Sequence, residues 1–199
     1  AALGAGRKVA YVGAGSSGLM AMADALELLG TFGIPVAQTP ILFAGGAAAL
    51  LTMTGAVEDD PDLAIADFAR AGLAAGDVAL CVSASGGTPY TLEIARQARR
   101  AGVAVIGLVN VSGSAIAQLA DVAVVLDTGP EIIAGSTRMG AATAQKAALN
   151  MVSVLSAIRL GHVHDGFMVN VVADNAKLRD RAARIVSTLS GATTEVSER

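Results

Sequence analysis

The feature that most limits this chain is the alternation of short apolar runs with longer segments of helical period. Val9–Val12, Val36–Phe43, Asp77–Val82, Val103–Val109 and Val122–Leu126 read as strands. Between and after them, Leu19–Leu29 reads as a helix stopped by Gly30 and Gly33, and Pro89–Arg100 as one with proline at its start. Thr137–Leu160 and Asp174–Leu189 follow as longer helices. Continuous apolar strands joined through helices belong to a parallel sheet covered on both faces. The expected class is therefore α/β: a doubly wound, five-stranded parallel sheet of flavodoxin-like type, flanked by helices. Pro40 predicts an edge position or an irregular end for the second strand. Residues 1–190 read as one domain and Gly191–Arg199 as a polar, frayed tail. In such a sheet the ligand lies beyond the carboxyl ends of the strands.

Composition narrows the partners. The net charge of −3 offers no basic footprint for a phosphodiester backbone, and with no Trp, aromatic platforms for bases are scarce. Neither nucleic acid nor a membrane is expected, since no uninterrupted apolar run approaches the roughly 18 residues of a span. Ala1–Lys8 lacks the layout of a signal peptide. The one cysteine, Cys81, excludes an internal disulfide, fits a reducing cytoplasm and reads as a buried small hydrophobe.

Two glycine- and hydroxyl-rich loops follow strands. The first, Gly13-Ala14-Gly15-Ser16-Ser17-Gly18, is formally a G-x-G-x-x-G turn. A dinucleotide site would also want an acidic residue ending the second strand, and Val36–Phe43 has none. A structural turn and a sugar-contact loop, with Ser16 and Ser17 as hydroxyl partners, are the other readings. The second loop, Ser83-Ala84-Ser85-Gly86-Gly87-Thr88-Pro89, brings three hydroxyls to the start of a helix. Free N–H groups and the helix dipole there favour a dianion, so Ser83, Ser85 and Thr88 are candidate phosphate ligands. N-capping by Thr88 is the plainer reading, and it is compatible with the first. Neither loop ends in the Gly-Lys-Ser/Thr of a nucleotide P-loop, which points to a phosphate monoester on a small molecule.

Together these loops resemble the sugar isomerase (SIS) domain, whose members bind phosphosugars through hydroxyl residues after the first and third strands. Further segments are similar to the N-acetylmuramic acid 6-phosphate etherase family: Asp24-Ala25-Leu26-Glu27, Thr31-Phe32-Gly33, Ala44-Gly45-Gly46 and Glu58-Asp59. Glu131, Gly135-Ser136-Thr137-Arg138-Met139, Thr143-Ala144-Gln145-Lys146, Leu149-Asn150-Met151, Met168-Val169 and Asn175-Ala176-Lys177-Leu178 extend the likeness to the last helix. Three departures stand out. Leu19 and Gly87 replace family arginines, and Leu28-Leu29 replaces a pair of prolines. The family's N-terminal helical segment and small C-terminal helical domain lie outside the matched stretch, as in a truncated chain or a shorter relative.

The resemblance implies a carbon–oxygen lyase that removes D-lactate from C3 of a 6-phosphosugar and adds water. Glu58 would be the base at C2, and Glu27 the acid at C3 that later activates water. Ser136 would touch a sugar hydroxyl or cap the long helix; Arg138 would serve the substrate, an interface or a surface salt bridge, and Glu131 would stand behind the site or at a subunit interface. No metal or organic cofactor is implied; His162, His164 and Asp165 are a weak metal set with no further soft ligand nearby in sequence. A non-catalytic phosphosugar sensor and an aldose–ketose isomerase would use the same two loops. Ala142, Ala147, Leu149, Val152 and Leu155 make the long helix more apolar than one sheet face covers, so a homodimer is expected.

Overall fold

The computed structural model describes residues 1–197 and divides into two compact units. Ala1–Ala25 and Ala37–Asn150 form the first, Leu26–Val36 and Met151–Arg199 the second; Glu198 and Arg199, at the end of the expected polar tail, lie outside the described residues.

In chain order the first unit contains β1 (Val9–Gly13) and α1 (Gly15–Ala25); α2 (Glu27–Phe32) belongs to the second. The first then resumes with β2 (Ile41–Phe43), α3 (Gly46–Leu51), α4 (Pro61–Ala71), β3 (Val78–Ser83) and α5 (Pro89–Arg100). β4 (Ala104–Val109), α6 (Ala115–Leu119), β5 (Val122–Val125) and the start of α7 (Gly140–Arg159) complete it. All five strands are parallel in the order β2-β1-β3-β4-β5. That is the doubly wound arrangement, with its order reversing between β1 and β3.

The central strands are buried because they are apolar on both faces: Tyr11, Leu80, Val82 and Leu108 are buried on one, and Ala10, Val12, Ala79, Cys81 and Val105 are fully enclosed on the other. From the helix side, Tyr90, Ile94, Ala95 and Ala98 of α5 close over them. Burial pushes the Cys81 thiol up to about 12, so it stays protonated and packs as a hydrophobe. Asp77 ties the amino ends of the strands together, accepting from Lys8 N and Ala74 N at 2.9 Å each.

Four elements depart from the sequence pattern. Only Ile41–Phe43 of the Val36–Phe43 run is a strand; Val36–Gln38 is a 3-10 turn. β2 is the edge that Pro40 predicts, and Tyr11 N donates to the Pro40 carbonyl just before it. The Leu19–Leu29 helix is two helices with a break at Leu26; Gly30 lies inside α2, and the stop is Gly33, left-handed at φ +66°. The Gly13–Gly18 turn is shorter than the motif suggests, because α1 already begins at Gly15. The long helix begins at Gly140, not Thr137.

In the second unit, Gly30 O accepts from Val172 N, and Phe32 O accepts from the His162 ring Nδ1–H at 2.7 Å. A two-stranded antiparallel hairpin, β6 (Val163–His164) with β7 (Phe167–Met168), turns through Asp165 and Gly166, both at positive φ. α8 (Ala176–Ser190) starts at Asn175, whose side chain accepts from Leu178 N, and ends at Gly191. A further helical turn, α9 (Thr194–Ser197), lies within the expected tail. Among the described residues, no helix is long and apolar enough to cross a membrane.

Candidate active site

The site is built where the neighbouring parallel strands β1 and β3 end together, Gly13 beside Val82. At the first loop the chain turns through Ala14 alone. A side-chain carbon on Gly13 would lie 2.7 Å from Gly18 Cα, and one on Gly18 would lie 2.6 Å from the Phe43 ring. Two of the motif's three glycines are therefore accounted for by the close approach of helix to strand. Ser16 and Ser17 consequently stand in the first turn of α1, Ser16 half-buried and Ser17 buried.

The second loop carries a hydroxyl network. Ser83 Oγ and Thr88 Oγ1 are 2.9 Å apart, and Ser83 Oγ also accepts from Gly86 N at 3.1 Å. Thr88 stands at the cap position of α5 yet makes no side-chain cap; its hydroxyl serves Ser83. Ser85 is exposed and accepts from Gly87 N at 3.2 Å. The loop is braced from the β4 side, where Asn110 N donates to Ala84 O and Ile116 N to Gly86 O. The result is a hydroxyl-lined N-terminus of a twelve-residue helix, a favourable seat for a dianion. At Gly87 a side-chain carbon would meet nothing nearer than Ser85 Oγ at 4.0 Å, so the position is open.

Glu58, in a short 3-10 turn (Gly55–Asp59), brings a half-buried carboxylate to the first loop. Its Oε1 lies 2.6 Å from the place a side-chain carbon on Gly15 would take. Burial first, and the Asp59 charge second, raise its pKa above the ordinary glutamate value. Ser16, Ser17 and Glu58 thus gather at the carboxyl end of β1, and Ser83, Ser85 and Thr88 at that of β3.

Glu27 lies in the second unit as the exposed first residue of α2, not in mid-helix. Ser136 is half-buried and does not cap the long helix. That work falls to Glu131, whose two carboxylate oxygens accept from Gly140 N and Ala141 N at 2.9 Å each. These two bonds hold the Glu131 carboxyl below its usual range. The acidic residue nine positions before the helix was legible as a conspicuous carboxylate, but not as a cap, because the loop that folds it back is irregular.

Polar connections around Asp24 and Asp67 escaped the sequence reading. Tyr11 donates to the buried Asp24 at 3.1 Å, and Lys146 lies 3.9 Å from the same carboxylate while donating to Asn150 at 2.7 Å. Tyr90, fully enclosed, donates to Asp67 at 2.7 Å. His164 and Asp165 pair at 3.8 Å on the surface, and among the described residues no three potential metal ligands converge.

Residues 1–110 match the SIS domain family. The chain is 41% identical over its whole length to an N-acetylmuramic acid 6-phosphate etherase of Geobacillus thermodenitrificans, covering 68% of that protein. It is 46% identical to one of Burkholderia lata, again over the whole chain and 65% of the relative. The chain thus spans about two thirds of the length of these relatives. Among solved structures, it is similar in fold to the Vibrio vulnificus NanR protein complexed with ManNAc-6P. That likeness has a TM-score of 0.53 and 18% identity, covering 92% of this chain and 56% of the other.

Proposed function

We propose, for a chain that belongs to the SIS domain family and within it to the N-acetylmuramic acid 6-phosphate etherases, a phosphosugar-binding carbon–oxygen lyase. The substrate is N-acetylmuramic acid 6-phosphate, with its phosphate on the loop from Ser83 to Thr88 and its sugar against Ser16, Ser17 and Ser136. One observation carries this reading: a half-buried carboxylate with a raised pKa, Glu58, at the strand end beside the hydroxyl-lined start of α5.

The chemistry follows from the open-chain sugar, whose C1 carbonyl acidifies the C2 proton. Glu58 takes that proton, giving an enolate. The C3–O bond then breaks as Glu27 protonates the departing lactate oxygen, leaving an unsaturated aldehyde. Water adds at C3 with Glu27 accepting its proton, C2 is reprotonated, and the products are N-acetylglucosamine 6-phosphate and D-lactate. A base with a raised pKa suits this task, since its conjugate acid must later return a proton near neutral pH.

The reading includes a cytoplasmic setting and a homodimer. Along α7, Ala142 and Leu149 are buried, whereas Met151, Val152, Val154, Leu155 and Ile158 are between 38% and 63% exposed. A second copy covering that row would remove it from water. Light scattering at micromolar concentration tests this, and a monomer would count against it.

The activity is tested by incubating the protein with the 6-phosphosugar in deuterated buffer, following deuterium at C2 and lactate release. Both are expected. Binding without either would leave a sensor, and an isomerised product would leave an aldose–ketose isomerase.

A further inference from the structure

Gly15 is the residue against which the Glu58 carboxylate rests. Its φ is +52°, the left-handed region where a side chain is disfavoured. A side-chain carbon there would lie 2.6 Å from Glu58 Oε1 and 3.3 Å from both its carboxyl carbon and Oε2. All three of the nearest atoms belong to Glu58. The first approach is shorter than any stable contact, and what must yield is the end of a flexible side chain rather than the backbone. This separates Gly15 from Gly13 and Gly18, whose added carbons would strike backbone atoms or a packed ring.

From this geometry we infer that Gly15 is a positioning residue for the proton-abstraction step: its missing side chain is the space that holds the Glu58 carboxylate at the start of α1. The inference rests on the assignment of Glu58 as the base at C2. It gives the middle glycine of the first loop a role distinct from helix–strand packing. A carboxylate displaced by about 1 Å from a productive position loses on the order of 10²-fold in rate. The phosphate loop, built from β3 and α5, is untouched by this displacement.

Gly15→Ala tests the inference against a matched control, Gly72→Ala. Gly72 caps α4 at φ +56°, and an added carbon there meets only Lys8 Nζ at 3.7 Å, so this control carries the backbone strain without moving Glu58. Gly15→Ala should lower kcat and C2 deuterium exchange by at least about tenfold, toward 10²-fold, while phosphosugar affinity holds within about twofold. Gly72→Ala should leave both unchanged. In a Glu58→Gln background the added Gly15→Ala change should cost nothing more, because the group it displaces no longer acts. A crystal structure of Gly15→Ala should show the Glu58 carboxylate moved off its place. An unmoved carboxylate, an unaltered exchange rate in Gly15→Ala, or fully additive losses in the double variant would each overturn the inference. Wild-type protein that binds phosphosugar but exchanges no C2 proton would overturn the base assignment instead. The crystal structure would still decide whether Gly15 places the carboxylate.

Discussion

Ser83 Oγ and Thr88 Oγ1 stand 2.9 Å apart, so two of the three hydroxyls at the start of α5 already engage each other. With Ser83 also accepting from Gly86 N, the pair sets the shape of the loop. Ser85, outside the pair and exposed, presents the freest hydroxyl. Ser85→Ala should therefore weaken phosphosugar binding by about 1.5–3 kcal/mol, the range for a hydrogen bond to a charged group. Calorimetric titration measures this directly. Unchanged affinity in the Ser83→Ala/Ser85→Ala double variant would remove the loop from the site.

The two carboxylates should fail in different ways. Glu27→Gln keeps the base and removes the acid, so C2 exchange with deuterated solvent persists while net elimination is lost. Glu58→Gln loses both, since nothing takes the first proton. General acid and base groups each contribute roughly 10²–10⁴-fold, so either defect is readily measured. Equal retention of exchange in both variants would separate Glu58 from the proton it is assigned.

Glu58 also sets a pH signature. Its folded pKa is raised by burial and by Asp59, and it acts as a base only when ionised. The acid limb of kcat/KM should rise with pH through a midpoint above the ordinary glutamate value. For stability the sign is opposite to the usual carboxylate case. The folded state holds this proton more tightly, so Glu58 favours folding below its unfolded pKa. That contribution is lost as pH climbs through the raised value. Glu58→Gln should flatten both profiles, and denaturant titrations at a series of pH values check the second.

Tyr11 and Asp24 bind β1 to α1 inside the first unit, and burial together with the Asp24 charge pushes the tyrosine pKa up, so it remains a donor. Tyr11→Phe removes the donor and leaves the buried carboxylate with one partner fewer. A loss of about 1.5–3 kcal/mol in urea unfolding is expected, as for other hydrogen bonds to charged groups. A loss below about 0.5 kcal/mol, the level of ordinary surface substitutions, would mean that Asp24's other contacts suffice.

What the chain's own pattern determined is the sheet and its two loops. The run Val78–Ser83 is buried on both faces after its first residue, and Ala104–Val109 from Gly107 onward, and that requirement shows in sequence as continuous hydrophobicity. The hydroxyls of Ser83, Ser85 and Thr88 were legible for a related reason, since they sit at fixed offsets from a strand end and a helix-starting proline. Tertiary structure alone decided the rest. The break at Leu26 that makes Glu27 the first residue of α2 is invisible to helical periodicity, which runs on through Leu29. Glu131 caps α7 across nine positions of irregular chain, and Tyr11 meets Asp24 from a different element. The segment Leu26–Val36 joins residues more than a hundred positions later in the second unit, through bonds such as His162 to Phe32. Burial and local turns leave a periodic trace because neighbours in the chain create them. The partner that satisfies a buried polar group, or the space a missing side chain leaves for a carboxylate, comes from wherever the fold brings a distant residue.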